Sequence, residues 1–380
     1  MSLDHVFKKC AATLIGLATG IFACVVLSTS RRFQRHIFYF HKAPIWWGQK
    51  LDKPESSGFL HNQVLPLRIP TSDGESLYAW LVSPLALYAR NERAFLARDS
   101  ASVDNISIRL LRDPESRLVI YFHGNAGSVG QERRTDAYRM ISSGLSQQIH
   151  VLSFDYRGFA RSSGSPSEVG LIDDALSVIK WATTVRKVPS NRIVLLAQSL
   201  GTAVASGAVD ALLRKDPSFE LAGLMLCAAF PDAPTAILSY KILGHFTLLG
   251  PLNAIKPVRK WFFARFQDRW DTKHRISRIV SASISLRLTF FAAENDEVID
   301  FNTETLFYHA VQEALGSRNS ISEINNVCQS IGLGDGGTVQ EWEGEQKLIK
   351  KVLVSYGGHN GIMKWAPVAL EVIKCFNSSQ

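Results

Sequence analysis

The amino-acid sequence predicts an α/β fold in which a mostly parallel sheet is flanked by helices. Between residues 118 and 375, short apolar runs typical of buried strands alternate with stretches of helical periodicity. This alternation indicates right-handed crossovers between parallel strands. A second observation is Ser199, which is placed where a predicted strand meets a predicted helix. The 380-residue length allows a large core, and the 46% apolar composition indicates neither disorder nor a repeat array.

An uncharged stretch from Ala11 to Thr29 precedes the globular region, with Lys8 and Lys9 before it and further basic residues after it. At about 1.5 Å per residue, a helix of this length nearly crosses a hydrocarbon core of about 30 Å. We therefore predict residues 1–35 to be a membrane anchor and residues 36–380 to be the globular domain. A cleaved signal peptide is the alternative, although its apolar segment would be unusually long.

We predict a single-pass membrane protein, and the endoplasmic reticulum is the expected compartment. The excess of basic residues after the span favours a cytosolic domain. Two Asn-X-Ser triplets, at residues 105–107 and 377–379, favour a lumenal domain instead, so the orientation stays open.

The formal net charge of +8 favours contact with an anionic partner such as lipid or nucleic acid. The sequence contains no nucleic-acid-binding motif, so we predict a membrane partner and no nucleic-acid partner. Five scattered cysteines without a CxxC pair argue against a disulfide framework and against a zinc site. Oligomeric state is not indicated.

The elements follow one another in a regular order. Two strands, at residues 64–69 and 77–82, flank Ser72-Asp73-Gly74 and predict a hairpin. Later strands are predicted at residues 118–122, 150–154, 192–197, 221–227, 286–292 and 351–355, and helices at residues 133–145, 170–184, 200–213 and 361–375. Three segments interrupt the alternation: an irregular polar insertion at about 86–116, an aromatic-rich segment at about 231–278 and a polar insertion at about 313–347.

The strongest chemical motif is Ala197-Gln198-Ser199-Leu200-Gly201. A serine between a strand and a helix is typical of a nucleophile elbow, in which small flanking residues let the two elements approach closely. Gly201 meets this requirement, and Ala197 departs from the usual glycine by one methyl group. We therefore predict Ser199 as the nucleophile, with the helix N-terminus favouring a developing oxyanion. The alternative is a serine that only caps a helix.

A second motif, His123-Gly124-Asn125-Ala126-Gly127, directly follows a predicted strand. A glycine loop at this position can direct a backbone N–H toward a substrate carbonyl. We predict Asn125 as this oxyanion donor, Ala126 as its close alternative and the N–H of Leu200 as the second donor. His123 is expected to order the loop, because the base of such a site is expected late in the chain.

A serine hydroxyl needs a base to accept its proton, and that base needs an orienting acid. With a nucleophile elbow, the order along the chain is serine, acid, histidine. We predict Asp296 as the acid because it lies in the turn just past a strand, whereas Glu294 and Asp300 are expected to be solvated or capping residues. His359 follows the last strand and is the predicted base. This chemistry requires neither a metal nor an organic cofactor.

Together these motifs resemble those of the α/β-hydrolase-domain membrane lipases, particularly the monoacylglycerol and lysophosphatidylserine lipases of animals and their fungal relatives. The matching stretches are residues 121–127, 154–158, 198–202, 293–296 and 358–359. The resemblance implies an α/β-hydrolase core of eight strands with a helical cap, a single N-terminal anchor and hydrolysis of lipid esters. It assigns Ser199, Asp296 and His359 to a catalytic triad, and Asp155 and Arg157 to the scaffold.

The predicted function is a serine hydrolase that cleaves carboxylic esters of lipids, monoacylglycerol or lysophospholipid, through an acyl-enzyme. A protein depalmitoylating thioesterase or an amidase would use the same triad and differ in pocket shape. A catalytically silent scaffold on the same fold is the alternative of a different class, and the complete set of candidate residues argues against it.

The predicted cap, at about 231–278, has an amphipathic pattern. Val258, Phe262, Phe266 and Trp270 recur at helical spacing among basic residues. A basic amphipathic helix can lie on an anionic bilayer. The alternative, equally consistent with the sequence, is that these aromatic residues cover the protein core.

Overall fold

A mixed sheet of ten strands lies at the centre of the molecule. The computed structural model describes residues 30–42, 49–96, 100–144, 148–242, 246–247, 255–298, 302–316 and 319–377, and scattered positions before residue 21. In chain order the strands are β1 (Val64–Pro70), β2 (Ser76–Val82), β3 (Ser116–Phe122), β4 (Gln148–Phe154), β5 (Ile193–Gln198), β6 (Gly223–Cys227), β7 (Lys241–Ile242), β8 (Phe246–Thr247), β9 (Leu286–Ala293), β10 (Gln329–Gly332), β11 (Gly337–Glu343) and β12 (Lys347–Val354). The short strands β7 and β8 pair with each other in a separate sheet, and the other ten form the central one.

Helices cover both faces of this sheet and fill the connections between strands. They are α1 (Arg31–Tyr39), α2 (Leu85–Arg90), α3 (Glu92–Phe95), α4 (Ser100–Leu111), α5 (Glu132–Ser142), α6 (Glu168–Lys180), α7 (Leu200–Lys215), α8 (Ala233–Ser239), α9 (Lys256–Arg265), α10 (Thr272–Ala282), α11 (Asn302–Leu315), α12 (Ile321–Val327), α13 (Gly358–Gly361) and α14 (Ala366–Asn377). Two large apolar clusters of buried residues hold the layers together.

The strand order confirms the predicted α/β class. The sheet runs β1-β2-β4-β3-β5-β6-β9-β12-β11-β10, and the six strands from β4 to β12 are parallel. The hairpin of β1 and β2 is antiparallel, as predicted, with Gly74 at a φ of +90° in its turn. Glycine adopts such an angle without a steric penalty.

The expected number of eight strands was wrong. The segment predicted as a polar insertion at 313–347 contributes β10 and β11, which extend the sheet: β11 pairs antiparallel with β12, and β10 pairs antiparallel with β11. All four residues of β10 are exposed, so the strand carries no alternation of apolar and polar side chains. Hydrophobic periodicity reports burial, and it therefore does not detect a strand held at the sheet edge by backbone hydrogen bonds.

The segment at 86–116 is also more regular than predicted. It contains α2, α3 and α4, which enclose a small separate cluster of five buried residues: Leu87, Tyr88, Phe95, Ile106 and Leu110. The rings of Tyr88 and Phe95 stack with centroids 4.7 Å apart. These apolar residues come from three separate helices, so only their contact in three dimensions identifies them as a core.

The helix predicted to continue from Val258 through Trp270 ends at Arg265. Phe266 has extended backbone angles, and Trp270 has a φ of +49°. Both aromatic side chains are buried in the main core, so for these two residues the core-covering alternative is confirmed. The helical spacing was misleading because the chain turns after Arg265, and that turn buries both rings. The backbone N–H of Trp270 donates to Glu168 Oε2 at 3.0 Å.

The helix α10, partly included in the predicted cap, belongs to the layer that flanks the sheet. Its Arg278 guanidinium donates to both carboxylate oxygens of Asp210 on α7 at 2.8 Å. The elements of the predicted cap segment that lie outside this layer are α8, β7, β8 and α9.

The predicted anchor at Ala11–Thr29 falls largely outside the described residues. Within the described part of the chain, no helix is both long and apolar enough to cross a membrane. The helix α1 begins two residues after the apolar stretch and crosses the predicted anchor boundary at residue 35, and it is docked on the globular domain. Its Tyr39 is fully buried and donates its hydroxyl to Asp268 Oδ2 at 2.7 Å.

Candidate active site

The predicted site residues come from four loops at one edge of the sheet. Strands β3, β5, β9 and β12 are all parallel, so their carboxyl ends point the same way. The loops that follow them contain Asn125, Ser199, Asp296 and His359, respectively. Ligands of open α/β sheets bind at this edge.

Ser199 occupies a sharp turn between β5 and α7. Its backbone angles are φ +49° and ψ −118°, which a non-glycine residue adopts only when its surroundings impose them. Two hydrogen bonds hold the turn: the Ser199 N–H donates to Cys227 O, and the Ser199 carbonyl accepts from the Thr202 N–H, both at 2.9 Å. The serine is thereby presented, half-buried, at the start of a helix.

The requirement for a small residue two positions after the serine has a direct cause in the packing. A Cβ on Gly201 would lie 2.3 Å from the carbonyl oxygen of Phe122, the last residue of β3. That contact is with backbone, so it cannot be relieved by rotating a side chain. Ala197, on the other side of the serine, is fully buried with its methyl group accommodated.

Asp296 and His359 form a hydrogen-bonded pair. The His359 Nδ1–H donates to Asp296 Oδ2 at 2.8 Å, and each side chain is only 9% exposed. The second carboxylate oxygen, Oδ1, accepts from the Val298 N–H at 2.8 Å, which fixes the plane of the acid. With Nδ1 donating, the Nε2 of neutral His359 is a proton acceptor, as a general base requires.

Two residues that the sequence reasoning missed join these loops. The Gln198 side chain donates from Nε2 to the His359 carbonyl at 2.9 Å, linking the elbow strand to the histidine loop. Asn295 Oδ1 accepts from the Gly358 N–H at 2.8 Å, linking the histidine loop to the turn of the acid. The structure thus brings the loops of Ser199, Asp296 and His359 together. The sequence indicated these linking roles only in that Gln198 precedes Ser199 and Asn295 precedes Asp296.

Glu294, the neighbouring carboxylate, has a different setting. Its side chain is exposed, and its backbone N–H pairs with Val354 O at 2.8 Å. Residue 300 lies outside the described residues. Across the described ranges, no group of three or more His, Cys, Asp and Glu residues is arranged to hold a metal ion.

Arg134 of α5 orders the loop that follows β3, another contribution that the sequence did not reveal. Its buried guanidinium donates to the carbonyls of Gly124 (3.1 Å), Ala126 (2.8 Å) and Ser128 (2.7 Å). In a trans peptide the N–H points opposite to the C=O. The N–H of Asn125, which shares a peptide with the Gly124 carbonyl, therefore points away from Arg134.

This loop lies close to the elbow. A Cβ on Gly124 would be 3.5 Å from the Cβ of Ser199. Leu200 begins α7, so its N–H belongs to the first turn, where backbone donors have no intrahelical partner. Ala126 has a φ of +58° within the same loop. The Asn125 side chain donates to the Phe38 carbonyl, so α1 touches the loop from outside.

His123 and Asp155 are fully buried beneath this loop. The His123 Nδ1–H donates to Gly124 O at 2.7 Å, and its Nε2 lies 3.7 Å from Asp155 Oδ1. Burial holds the pKa of His123 well below its usual value. Burial also raises the pKa of Asp155 to about 8, against the opposing effect of the Val129 N–H, which donates to Oδ1 at 2.7 Å. The contact with Gly124 matches the loop-ordering role expected for His123.

Asp155→Asn is expected to change how stability depends on pH. The folded-state pKa of Asp155 exceeds its unfolded value of about 4, so the folded protein keeps a proton that the unfolded chain releases. The contribution of Asp155 to the free energy of unfolding therefore falls as pH rises from about 4 to about 8. Between pH 6.5 and 8, Asp155→Asn should gain about 1–2 kcal/mol relative to wild type in urea unfolding. Asp335→Asn, at an exposed position, is the control, and parallel pH profiles for wild type and Asp155→Asn would contradict the assignment.

Arg157 has a scaffold position. It donates from Nε to Asp174 Oδ1 at 2.8 Å and from Nη1 to Asp73 Oδ2 at 2.6 Å. These bonds tie the end of β4 to α6 and to the turn of the β1–β2 hairpin.

Known proteins resemble the chain in both sequence and fold. Lysophosphatidylserine lipase ABHD12 of Xenopus tropicalis is 32% identical over 280 residues, which are 71% of this chain and 63% of that protein. The chain thus spans less than two thirds of that lipase. Protein bem46 of Schizosaccharomyces pombe is 32% identical over 284 residues, which are 73% of this chain and 84% of that protein.

A solved alpha-beta hydrolase from Vibrio vulnificus shares the fold, with a TM-score of 0.58 at 13% identity, and covers 90% of this chain and 92% of its own. The alpha/beta hydrolase family profile matches residues 119–320, more than half of the chain. This match includes the elbow at Ser199 and the turn at Asp296. The chain therefore belongs to the alpha/beta hydrolase family.

Proposed function

We propose that this protein is a serine hydrolase that cleaves carboxylic esters of lipids through an acyl-enzyme formed on Ser199. The observation that carries the proposal is the position of a serine in an imposed left-handed turn, at the same sheet edge as a buried Asp296–His359 pair with a 2.8 Å hydrogen bond. A base whose Nδ1 is held by a carboxylate leaves Nε2 to accept a proton from a serine hydroxyl.

The reaction has two halves with the same geometry. His359 Nε2 takes the Ser199 proton as Oγ attacks the ester carbonyl carbon, and the carbonyl oxygen becomes an oxyanion. The N–H of Leu200 and that of Asn125, or of Ala126, stabilise this oxyanion. His359 then gives the proton to the leaving alcohol, and the acyl-enzyme remains. Water attacks that ester by the same route, which releases the fatty acid and restores Ser199.

Two observations support a lipid substrate and a membrane location: the names of the relatives and the apolar stretch near the N-terminus. Relatives of the chain include proteins named lysophosphatidylserine lipase, and residues 11–29 have the length and composition of a membrane span. We propose a single-pass anchor in the endoplasmic reticulum membrane, with residues 36–380 as the hydrolase domain, and a monoacylglycerol or lysophospholipid as substrate. Within the segment at about 231–278, the elements α8, β7, β8 and α9 form the proposed cap over the site.

A substrate panel tests this function on the purified full chain. The panel holds one acyl chain constant and presents it as a lysophospholipid, a monoacylglycerol, an S-acylated peptide and a fatty amide. We expect the lipid esters to be hydrolysed by wild type and not by Ser199→Ala. Turnover of the S-acylated peptide alone would identify a depalmitoylating thioesterase. Failure of the folded protein to react with a fluorophosphonate would identify a silent scaffold.

A further inference from the structure

The positive charge of this protein is concentrated in two segments. Residues 30–51 and 233–267 together contain ten lysines and arginines and no aspartate or glutamate. The whole chain has a net charge of +8, so the remainder of the molecule is net negative. The first segment contains α1, and the second contains α8 and α9 of the cap.

The helix α9 divides its residues between two faces. Val258, Trp261 and Phe263 pack against Leu238 of α8. All four basic residues of the helix are exposed to solvent, Lys256, Arg259, Lys260 and Arg265, and the Arg265 guanidinium lies over the ring of Trp261. Among the described residues, Arg259 and Lys260 have no carboxylate partner. Ile255, just before the helix, is 53% exposed.

Contacts join α1 to the end of α9. The Gln34 side chain donates from Nε2 to Arg265 O and accepts at Oε1 from the Gln267 N–H, both at 3.0 Å. The rings of Phe38 and Phe266 meet edge to face with centroids 5.9 Å apart. Since Gln34 and Phe38 are about one helical turn apart, α1 contacts the last residue of α9 and the two residues after it at two levels.

The joined helices lie beside the candidate active site. The Phe38 carbonyl accepts from the side chain of Asn125, which belongs to the loop beside Ser199. The chain enters α1 directly from the predicted anchor, and two exposed residues follow the helix, Phe40 and Lys42. The helix α1 therefore contacts both the end of α9 and the loop beside Ser199, and the exposed Phe40 and Lys42 follow it directly.

We propose that α9, together with Lys42 after the adjoining α1, forms one cationic platform that rests on an anionic bilayer surface and holds the Ser199 edge against the membrane. The inference rests on the proposed membrane-bound hydrolase function and adds the surface through which it meets its lipid. Basic residues close to a membrane are attracted by anionic headgroups, and aliphatic or aromatic side chains such as Ile255 and Phe40 suit the interface. The charge of this face complements anionic lipid and no other component of the bilayer.

The test uses the full chain reconstituted in phosphatidylcholine vesicles with or without phosphatidylglycerol. Two activities are measured in each preparation: hydrolysis of a lipid ester in the bilayer and hydrolysis of a soluble short-chain ester. Their ratio reports access to the membrane independently of catalysis. For wild type, phosphatidylglycerol should raise the ratio at least about tenfold, and raising salt from about 0.05 M to about 0.5 M should abolish the gain.

The variant Arg259→Glu/Lys260→Glu should lose the dependence on phosphatidylglycerol while it hydrolyses the soluble ester as wild type does. The matched control is Lys180→Glu/Lys215→Glu, which makes the same change of charge at exposed positions. Lys180 and Lys215 end α6 and α7, and the C-terminus of the 16-residue α7 is about 24 Å from the Ser199 edge. This control should retain the dependence on phosphatidylglycerol.

The outcomes separate the platform from the proposed function. An equal ratio of lipid-ester to soluble-ester hydrolysis for wild type on both vesicle types would overturn the platform. The basic residues would then be assigned to contact with an acidic protein. An equal loss in both double variants would reduce the effect to overall charge and would also overturn it. Absence of turnover of both esters by wild type, by contrast, would refute the hydrolase function itself.

Discussion

Ser199→Ala is expected to lower kcat for ester hydrolysis by about four to six orders of magnitude. The loss follows from removal of the only atom that forms the acyl-enzyme, while the oxyanion donors and the binding surface remain. Folding should be retained, because the hydrogen bonds that hold the turn use the Ser199 backbone and not its hydroxyl. Steady-state rates on a short-chain ester, together with circular dichroism, check both parts.

A matched control lies in the helix that follows. The Ser206 hydroxyl is buried in α7 and has no hydrogen-bond partner among the residues described. Ser206→Ala therefore also deletes one serine hydroxyl, but from a buried position that has no proposed role in the reaction. This variant should keep activity and fluorophosphonate labelling. If Ser199→Ala kept wild-type turnover and labelling, Ser199 would not be the nucleophile.

Asp296→Asn is expected to lower kcat by about four orders of magnitude with little effect on KM. The carboxylate accepts the His359 Nδ1–H at 2.8 Å, and an amide nitrogen at that position would instead favour the other tautomer. The proton would then reside on Nε2, where the base must accept one from Ser199. The carboxylate also stabilises the imidazolium that forms during attack, and an amide does not.

The control for this substitution is Glu294→Gln, two residues earlier in the same turn. It makes the same change from carboxylate to amide on an exposed side chain. Glu294→Gln should hydrolyse the short-chain ester at the wild-type rate. A large loss in Glu294→Gln combined with normal turnover in Asp296→Asn would show that Glu294, and not Asp296, is the acid.

The sequence alone determined the fold class and the positions of the loops at the candidate catalytic edge. Both depend on local patterns: apolar runs report burial of strands, and the small residue at 201 reports the close approach of β3 and α7. The loops containing Ser199, Asp296 and His359 were located because each follows a strand, and parallel strands end at a common edge.

Only the tertiary structure decided which residues hold these loops in place. Arg134, Gln198 and Asn295 are ordinary polar residues in the sequence, and their partners are carbonyls and an N–H of other loops. The strands β10 and β11 and the contact of Phe38 with Asn125 were likewise hidden. The physical reason is shared: backbone hydrogen bonds at a sheet edge, and single bonds between distant segments, impose no periodicity on the residues that form them.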